Sequence, residues 1–376
     1  MIYLDYNATT PLLPEVQEEM LRVASLAVGN PGSRHAAGRK SRQLLEEARE
    51  TVARILGATP DEVIFTSGGT EATNLALHGM RGARNGQIIL PPAEHPATSE
   101  VVMHMTGCTP HVVQLDSQGL VNADSLNSAP WDSAVLATLL LAHNETGVIQ
   151  DVSLWRNLCD QHQIPWHVDA VQAVGKIGVN FRELGCTTMS VGAHKFYGPR
   201  GIGALLIRKG VELTPFLRGG GQERGMRPGT EPVMLAAGMA KALQIWDQNR
   251  ETREVYLRTL RDGLESALTN TIPNVVVNCA ETTRLPNTLS IAFPGCIADA
   301  LLVALDLAGL CVSVGSACAS GSTKPPPILE AIGVTEEVAK STVRISVGIQ
   351  TTTEEIDRAV EIMRTVVNRL RAARDG

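Results

Sequence analysis

Hydrophobic positions change rhythm three times along the chain. After a short, turn-rich stretch over residues 1–13, Pro14 stands where a first helical position belongs. Val16, Met20, Val23, Ala24 and Ala27 then recur at helical spacing until Gly29. The segment NPGSRHAAGR (residues 30–39) is polar and glycine-rich and reads as a loop. A second amphipathic helix follows, with Leu44, Leu45, Ala48, Val52, Ile55 and Leu56 on one face and Gly57 as its C-cap.

From residue 60 to about 207 the rhythm becomes apolar strand, polar loop, helix, repeated. The predicted strands are 63–66, 88–90, 112–115, 135–142, 166–168, 188–191 and 203–207. Most are continuous apolar runs, the signature of strands buried on both faces of a largely parallel sheet, which makes the fold α/β. Ligands of such sheets bind beyond the carboxyl ends of the strands. Just past those ends stand Ser67–Thr70, Glu94–His95, His143–Asn144, Asp169 and His194–Lys195. An acid, a lysine and several imidazoles brought to one edge read as a site.

Beyond GGGQERGMRPGT (residues 219–230) lies a helix-prone stretch from Val233 to about Leu268. Short strands at 275–277, 288–293, 311–314 and 343–347 then alternate with helices near 299–309 and 354–371, an α+β layout suited to a second, smaller domain. The expected division is an N-terminal segment (1–13) packing with the small domain, a large domain (14–250) and a small C-terminal domain (251–376). Bulk properties narrow the class. A formal charge of −6 leaves no basic footprint for nucleic acid or an anionic membrane. No apolar run approaches the roughly 18 residues of a membrane helix, and the N-terminus has no basic or apolar leader pattern. Seven scattered cysteines without a CxxC pair argue for a reducing compartment rather than a disulfide framework or zinc site, so a cytoplasmic location is expected.

Three stretches carry chemistry. In SVGAHKFYGPRGIGALLI (residues 190–207) Lys195 sits at a strand-to-turn junction, where desolvation can make a lysine a nucleophilic amine; a plain β-hairpin with a solvated lysine is equally compatible. TSGGTEATN (residues 66–74) runs from strand end through paired glycines into a helix start. It suits either a phosphate held on backbone N–H groups or an ordinary N-cap, and it matches neither a Walker A sequence nor GxGxxG. Asp169 in WHVDAVQAVGK directly follows a buried strand and needs a cationic partner, a ring nitrogen or an arginine. Lysine, carboxylate and phosphate turn together match the needs of pyridoxal 5'-phosphate. Separately, Cys318 lies in SVGSACASGSTKPPP (residues 313–327), among small residues that suit an accessible, reactive thiol.

The order YLDYNATTP, TSGGTEATN, AEHPAT, HNETGVIQ, HVDAVQAVGK, AHKFYGPRGIGAL, GGGQERGMRPGT, PNTLSIAF, GSACASGS and STVRISVG resembles that of cysteine desulfurases. The resemblance runs from residue 2 to about 370, to class V aminotransferase-fold enzymes of the nitrogen-fixation/housekeeping iron–sulfur type. It implies a fold type I enzyme with a large, mostly parallel-sheet domain and a smaller α+β domain. It further implies conversion of L-cysteine to L-alanine, with a persulfide formed on Cys318 for iron–sulfur or thio-cofactor synthesis. Lys195 would be the Schiff-base lysine, and His95 would stack on the ring and assist acid–base steps. Asp169 would pair with the ring nitrogen, and Gln172 and Asn144 would contact the ring oxygen or the substrate. Gly69, Thr70 and His194 would bind phosphate, joined by Thr230 from the partner subunit of a homodimer, and Arg344 would grip the substrate carboxylate.

No intrinsic metal is implied, only a transient iron–sulfur ligation by Cys318 shared with a scaffold or other sulfur acceptor. The close alternatives are a selenocysteine lyase and a small-substrate aminotransferase on the same fold. One departure stands out. Relatives often carry a phosphate-binding serine where this chain has Gly192 or Ala193, so that contact is expected to be missing or moved to Ser190. The chain also ends soon after its last helix, so no long docking tail for a scaffold is expected.

Overall fold

The computed structural model describes residues 1–315 and 326–375. Strand β1 (Ile2–Tyr3) stands apart from the main sheet, which is built from β2 (Val63–Thr66), β3 (Gly86–Leu90), β4 (Cys108–Val112), β5 (Ala134–Leu140), β6 (Trp166–Asp169), β7 (Thr188–Gly192) and β8 (Gly203–Ile207). Their order is β2-β8-β7-β6-β5-β3-β4. Only β8 runs against its neighbours, so β2, β3, β5, β6 and β7 all end on the same edge.

Alternation along each strand sorts side chains to two faces. Ile64, Ile88, Leu136 and Leu205 join a core with α3 (Gly69–Arg81, introduced after α1 (Pro14–Leu26) and α2 (Ala36–Ile55)). Phe65, Ile89, Ala137 and Leu206 join the opposite core with Val16 and Val23 of α1, Leu44 and Val52 of α2, and helix Val233–Gln248. β5, β6 and β7 are buried at every position, which is why they read as unbroken apolar runs.

A third core lies around β9 (Val276–Val277), β10 (Thr288–Ala292) and β12 (Thr342–Ser346), an antiparallel sheet with β10 central. Helix Arg250–Thr271 covers it with Leu257, Leu260, Leu264 and Leu268, and helix Thr353–Asp375 with Ile356, Met363 and Val367. β11 (Leu310–Cys311) pairs in parallel with β1, which brings Ile2 and Leu4 into this core. The chain then crosses to the main sheet, where Thr10 N–H donates to His194 O at 2.9 Å.

Several boundaries differ from the sequence pattern. Helix α2 begins at Ala36, inside the expected 30–39 loop. His35 Nδ1 caps it by accepting Gly38 N–H at 3.2 Å, and a Cβ on Gly38 would lie 2.3 Å from Ser33 O, so that glycine serves a close approach within the first turn. The fourth strand is Cys108–Val112 rather than 112–115. It is an edge strand whose register is set by β3 alone, and an edge tolerates the exposed Thr109 and Pro110. The 233–268 stretch is two helices broken at Asn249, whose Nδ2 turns back to Ile245 O at 2.8 Å. The 311–314 strand shrinks to Leu310–Cys311, because Ser313 instead exchanges backbone hydrogen bonds with Arg344 of β12 (2.8 and 3.0 Å).

Candidate active site

Five aligned strand ends and the crossing N-terminal segment enclose one cavity of about 210 Å³. Gly69, Thr70, His95, Asn144, Asp169, Gln172, His194, Lys195 and Arg344 all line it, so nearly every residue singled out in the sequence converges there. β2 delivers the paired glycines, and α3 starts at Gly69 with its free N–H end at the cavity, the arrangement that favours an anion. A Cβ on Gly69 would lie 2.5 Å from Val171 Cγ2, so any side chain at the helix start would force Val171 to shift. Glu71 fixes this turn by accepting Ser67 N–H at 2.7 Å and Arg227 Nε–H at 2.9 Å.

Lys195 leaves β7 on a short 3-10 turn, and its Nζ donates to the carbonyls of Asn7 (2.6 Å) and Ala8 (2.9 Å). Asn7 and Ala8 line the cavity, yet sequence reasoning gave neither a role. Their only signal was membership of YLDYNATTP, because nothing local shows that an N-terminal segment will cross between two cores. Asn7 is a hub. Its Oδ1 accepts from Lys176 Nζ (2.7 Å) and Asn287 Nδ2 (3.0 Å), and its Nδ2 donates to Thr288 Oγ1 (2.9 Å) and Asn144 O (3.2 Å). Gln172 Nε2 donates to Asn7 O at 3.0 Å, while Gln172 Oε1 accepts from the buried Lys176. Burial, with Lys195 and Arg344 nearby, holds Lys176 well below the usual lysine range.

Arg344 lies at the centre of β12, fully buried. Nη1 donates to Asn144 O and Glu145 Oε1 (both 3.1 Å), and Nη2 to Asp5 Oδ1 (2.8 Å). Its Nε is buried without a partner among the described residues. Arg344 lines the cavity, and a guanidinium with an unpaired donor is equipped to take a carboxylate.

Burial dominates the electrostatics. It raises Glu94 to about 8, with Asp169 adding to the effect, so this carboxyl is protonated at neutral pH; Glu94 Oε1 accepts Leu140 N–H at 2.6 Å. Burial also raises Asp169, opposed by His95, Val171 N–H, Lys195 and Ser190, and a cationic group set against it would favour the carboxylate. His95 is lowered by burial and hence neutral. Its Nδ1 accepts Ala97 N–H at 3.1 Å, capping helix α4 (Pro96–Met103), so the ring proton sits on Nε2. His143 and His194 are each held down at about 4, chiefly by burial. His143 is structural, accepting Glu145 N–H on Nδ1 and reaching Ala93 O with Nε2.

Thr230 is exposed and outside this cavity. Ser190 is not a replacement phosphate ligand, because it is buried against Thr73 Oγ1 (3.1 Å) and Asp169. Gly192 has extended backbone (φ −128°, ψ 118°), and a Cβ there would meet Val171 Cγ1 at 3.4 Å and Gly69 N at 3.6 Å, both ordinary contacts. Space for a side chain therefore exists beside the α3 N-terminus. Cys318 lies outside the described residues. Of the six described cysteines, Cys159, Cys186, Cys279 and Cys296 are buried. Among the described residues no group of His, Cys, Asp and Glu could hold a metal ion, and no helix is long and apolar enough to cross a membrane.

A mostly parallel sheet that presents a lysine, a buried carboxylate and a helix N-terminus at one edge defines a pyridoxal-phosphate-dependent enzyme of fold type I. The family model for Aminotransferase class-V matches residues 2–359. "Cysteine desulfurase IscS" of Dictyoglomus turgidum is 39% identical over 375 residues, covering 98% of this chain and 95% of that protein. The solved structure of a "NifS-like protein" superposes with TM-score 0.91 at 34% identity, covering 98% and 99% of the two chains. That of "SspA in complex with cysteine" does so with TM-score 0.81 at 30% identity, covering 92% and 99%. The chain belongs to the class V aminotransferase family, among its cysteine desulfurases. Its cofactor is pyridoxal phosphate, and the residues fit it: a glycine cradle open at Gly192, a buried Asp169, and Lys195 reaching the same cavity.

Proposed function

We propose that this enzyme converts L-cysteine to L-alanine and leaves the sulfur as a persulfide on Cys318 for an acceptor protein. The observation that carries the reading is one cavity that joins Lys195, Asp169 and His95 to Arg344, while the chain leading to Cys318 is hydrogen-bonded to Arg344's own backbone through Ser313. The buried cysteines fit the reading too. Burial pushes Cys186 up to about 12 and Cys279 to about 11, and it also raises Cys159, so none is ready to form a thiolate.

In this reading Gly69, Thr70 and His194 hold the phosphate, Asp169 keeps the ring nitrogen protonated, and His95 lies against the ring. Lys195 anchors the cofactor through its amine and then moves the proton at the substrate's Cα. When bound, pyridoxal phosphate supplies the electron-withdrawing ring that drains charge from that carbon. Asn144 and Gln172 face the ring oxygen or the substrate, and Arg344 holds the substrate carboxylate. The Cys318 thiolate attacks the substrate sulfur. The S–S bond forms as the C–S bond breaks, and the carbon that keeps the electron pair is protonated to give alanine.

The assembly is a homodimer in which Thr230 serves the neighbour's phosphate site. Its segment supports this: Glu223 is pinned by a bidentate buried pair with Arg49 (2.8 and 2.8 Å), while Thr230 faces outward. The separate cores of the main sheet and of the β9-β10-β12 sheet support a large domain to about residue 250 and a smaller one after it. The free thiols of Cys108, Cys159, Cys186, Cys279 and Cys311 support a cytoplasmic setting, with an iron–sulfur scaffold or other sulfur acceptor as partner. The test is to supply L-cysteine with and without a keto acid. Alanine and sulfide formed without the keto acid support the desulfurase, whereas strict dependence on it supports an aminotransferase.

A further inference from the structure

Asp5 stands outside every role assigned above, yet its carboxylate touches the guanidinium of Arg344, a residue that lines the cavity. Arginine has five N–H donors. Three of Arg344's are held by Asn144 O, Glu145 Oε1 and Asp5 Oδ1, which leaves Nε–H and one N–H on Nη2. Those two donors suit the paired oxygens of one carboxylate. Glu145 and Asn144 secure Nη1, whereas Asp5 alone among the described residues bonds Nη2, the nitrogen that shares this pair with Nε.

The Asp5 backbone is itself tightly held. Leu4 N–H donates to Cys311 O (2.9 Å), Ser346 N–H to Leu4 O (2.8 Å), and Tyr3 Oη to Asp5 O (3.0 Å). Asp5 also bridges in parallel to Ser346, two residues from Arg344 on the same strand. A carboxylate delivered from backbone this constrained fixes its partner's plane, not only its charge. We infer that Asp5 is a positioning residue that aims the free donor pair of Arg344 at the substrate carboxylate and so sets preference for α-carboxylated amines. This rests on the reading that Arg344 grips that carboxylate.

The test titrates the holoenzyme with L-alanine and with ethylamine, which differ by the carboxylate and carry no thiol to transfer. The cofactor's visible band gives a dissociation constant for each. Asp5→Ala is expected to weaken L-alanine binding on the order of tenfold while ethylamine changes less than about twofold, the pattern of a mispositioned rather than missing group. Asp5→Asn, which keeps an oxygen acceptor for Nη2, is expected to restore most of the L-alanine affinity. Equal weakening of both ligands makes Asp5 a structural ion-pair partner only and overturns the inference. Tighter L-alanine binding in either variant makes Asp5 a competitor for Arg344 and also overturns it. If Asp5→Ala does not fold, Asp5→Glu takes its place: it moves the carboxylate by one methylene, and an unchanged L-alanine/ethylamine ratio overturns the inference. Failure of the underlying reading looks different, since Arg344→Lys would then leave that ratio intact. Failure of Asp5 alone leaves Arg344→Lys with a collapsed ratio.

Discussion

Glu94 gives the sharpest pH test of the site's electrostatics. It is buried in the turn just past β3, and burial reinforced by Asp169 raises it to about 8. The folded state therefore holds a proton that the unfolded chain releases near the ordinary carboxyl range. Stability is greatest below the unfolded value and is lost as pH rises toward the folded one, because the unfolded state binds fewer protons throughout that window. Each pH unit corresponds to about 1.4 kcal/mol, so from about pH 5.5 to about pH 8 Glu94 removes roughly 3 kcal/mol of stability. Glu94→Gln keeps an oxygen to accept Leu140 N–H and cannot ionise. Urea unfolding of wild type and variant at several pH values is the assay. The variant's advantage should grow by roughly 3 kcal/mol across that window and then level off. Parallel stability curves for the two proteins would refute the buried-proton argument.

Other consequences follow from the same geometry. Lys195→Ala should abolish the yellow colour of the holoenzyme and all turnover, checked by absorbance and alanine release. Gly192→Ser should tighten cofactor retention about five- to tenfold, the worth of one added hydrogen bond at a position where a Cβ makes only ordinary contacts beside Gly69 N, measured by dialysis against pyridoxal phosphate. Arg344→Lys should raise KM for L-cysteine on the order of a hundredfold, since a point charge cannot reproduce a planar donor pair between Asp5 and Glu145.

The pattern of strand ends made most of the site legible. Asp169 and Lys195 follow runs too apolar to lie at a surface, and the paired glycines before α3 announce a turn that meets a ligand. Asp5, Asn7 and Ala8 were not legible as site residues, because their roles depend on β1 pairing with β11 some 300 residues later and then crossing to His194. Ser190 misled for a related reason. A serine at a strand end is compatible with facing either the cavity or the sheet, and only the packing of Thr73 against it decides. The fourth strand lies before the apolar run because Val113 belongs to the core just past the strand, whereas the paired residues Cys108–Val112 include Thr109, Pro110 and His111, which an edge tolerates.

The central claim is that Cys318 takes the sulfur, and mass spectrometry of that cysteine's peptide tests it most directly. After a brief exposure of the holoenzyme to L-cysteine, without reductant or acceptor, the peptide should gain the mass of one sulfur atom while alanine appears in equal amount. Cys318→Ser should keep its cofactor, because Lys195, Asp169 and the α3 N-terminus are untouched, and should make almost no alanine. Alanine formed by Cys318→Ser at the wild-type rate, or extra sulfur found only on other cysteines, would contradict the account.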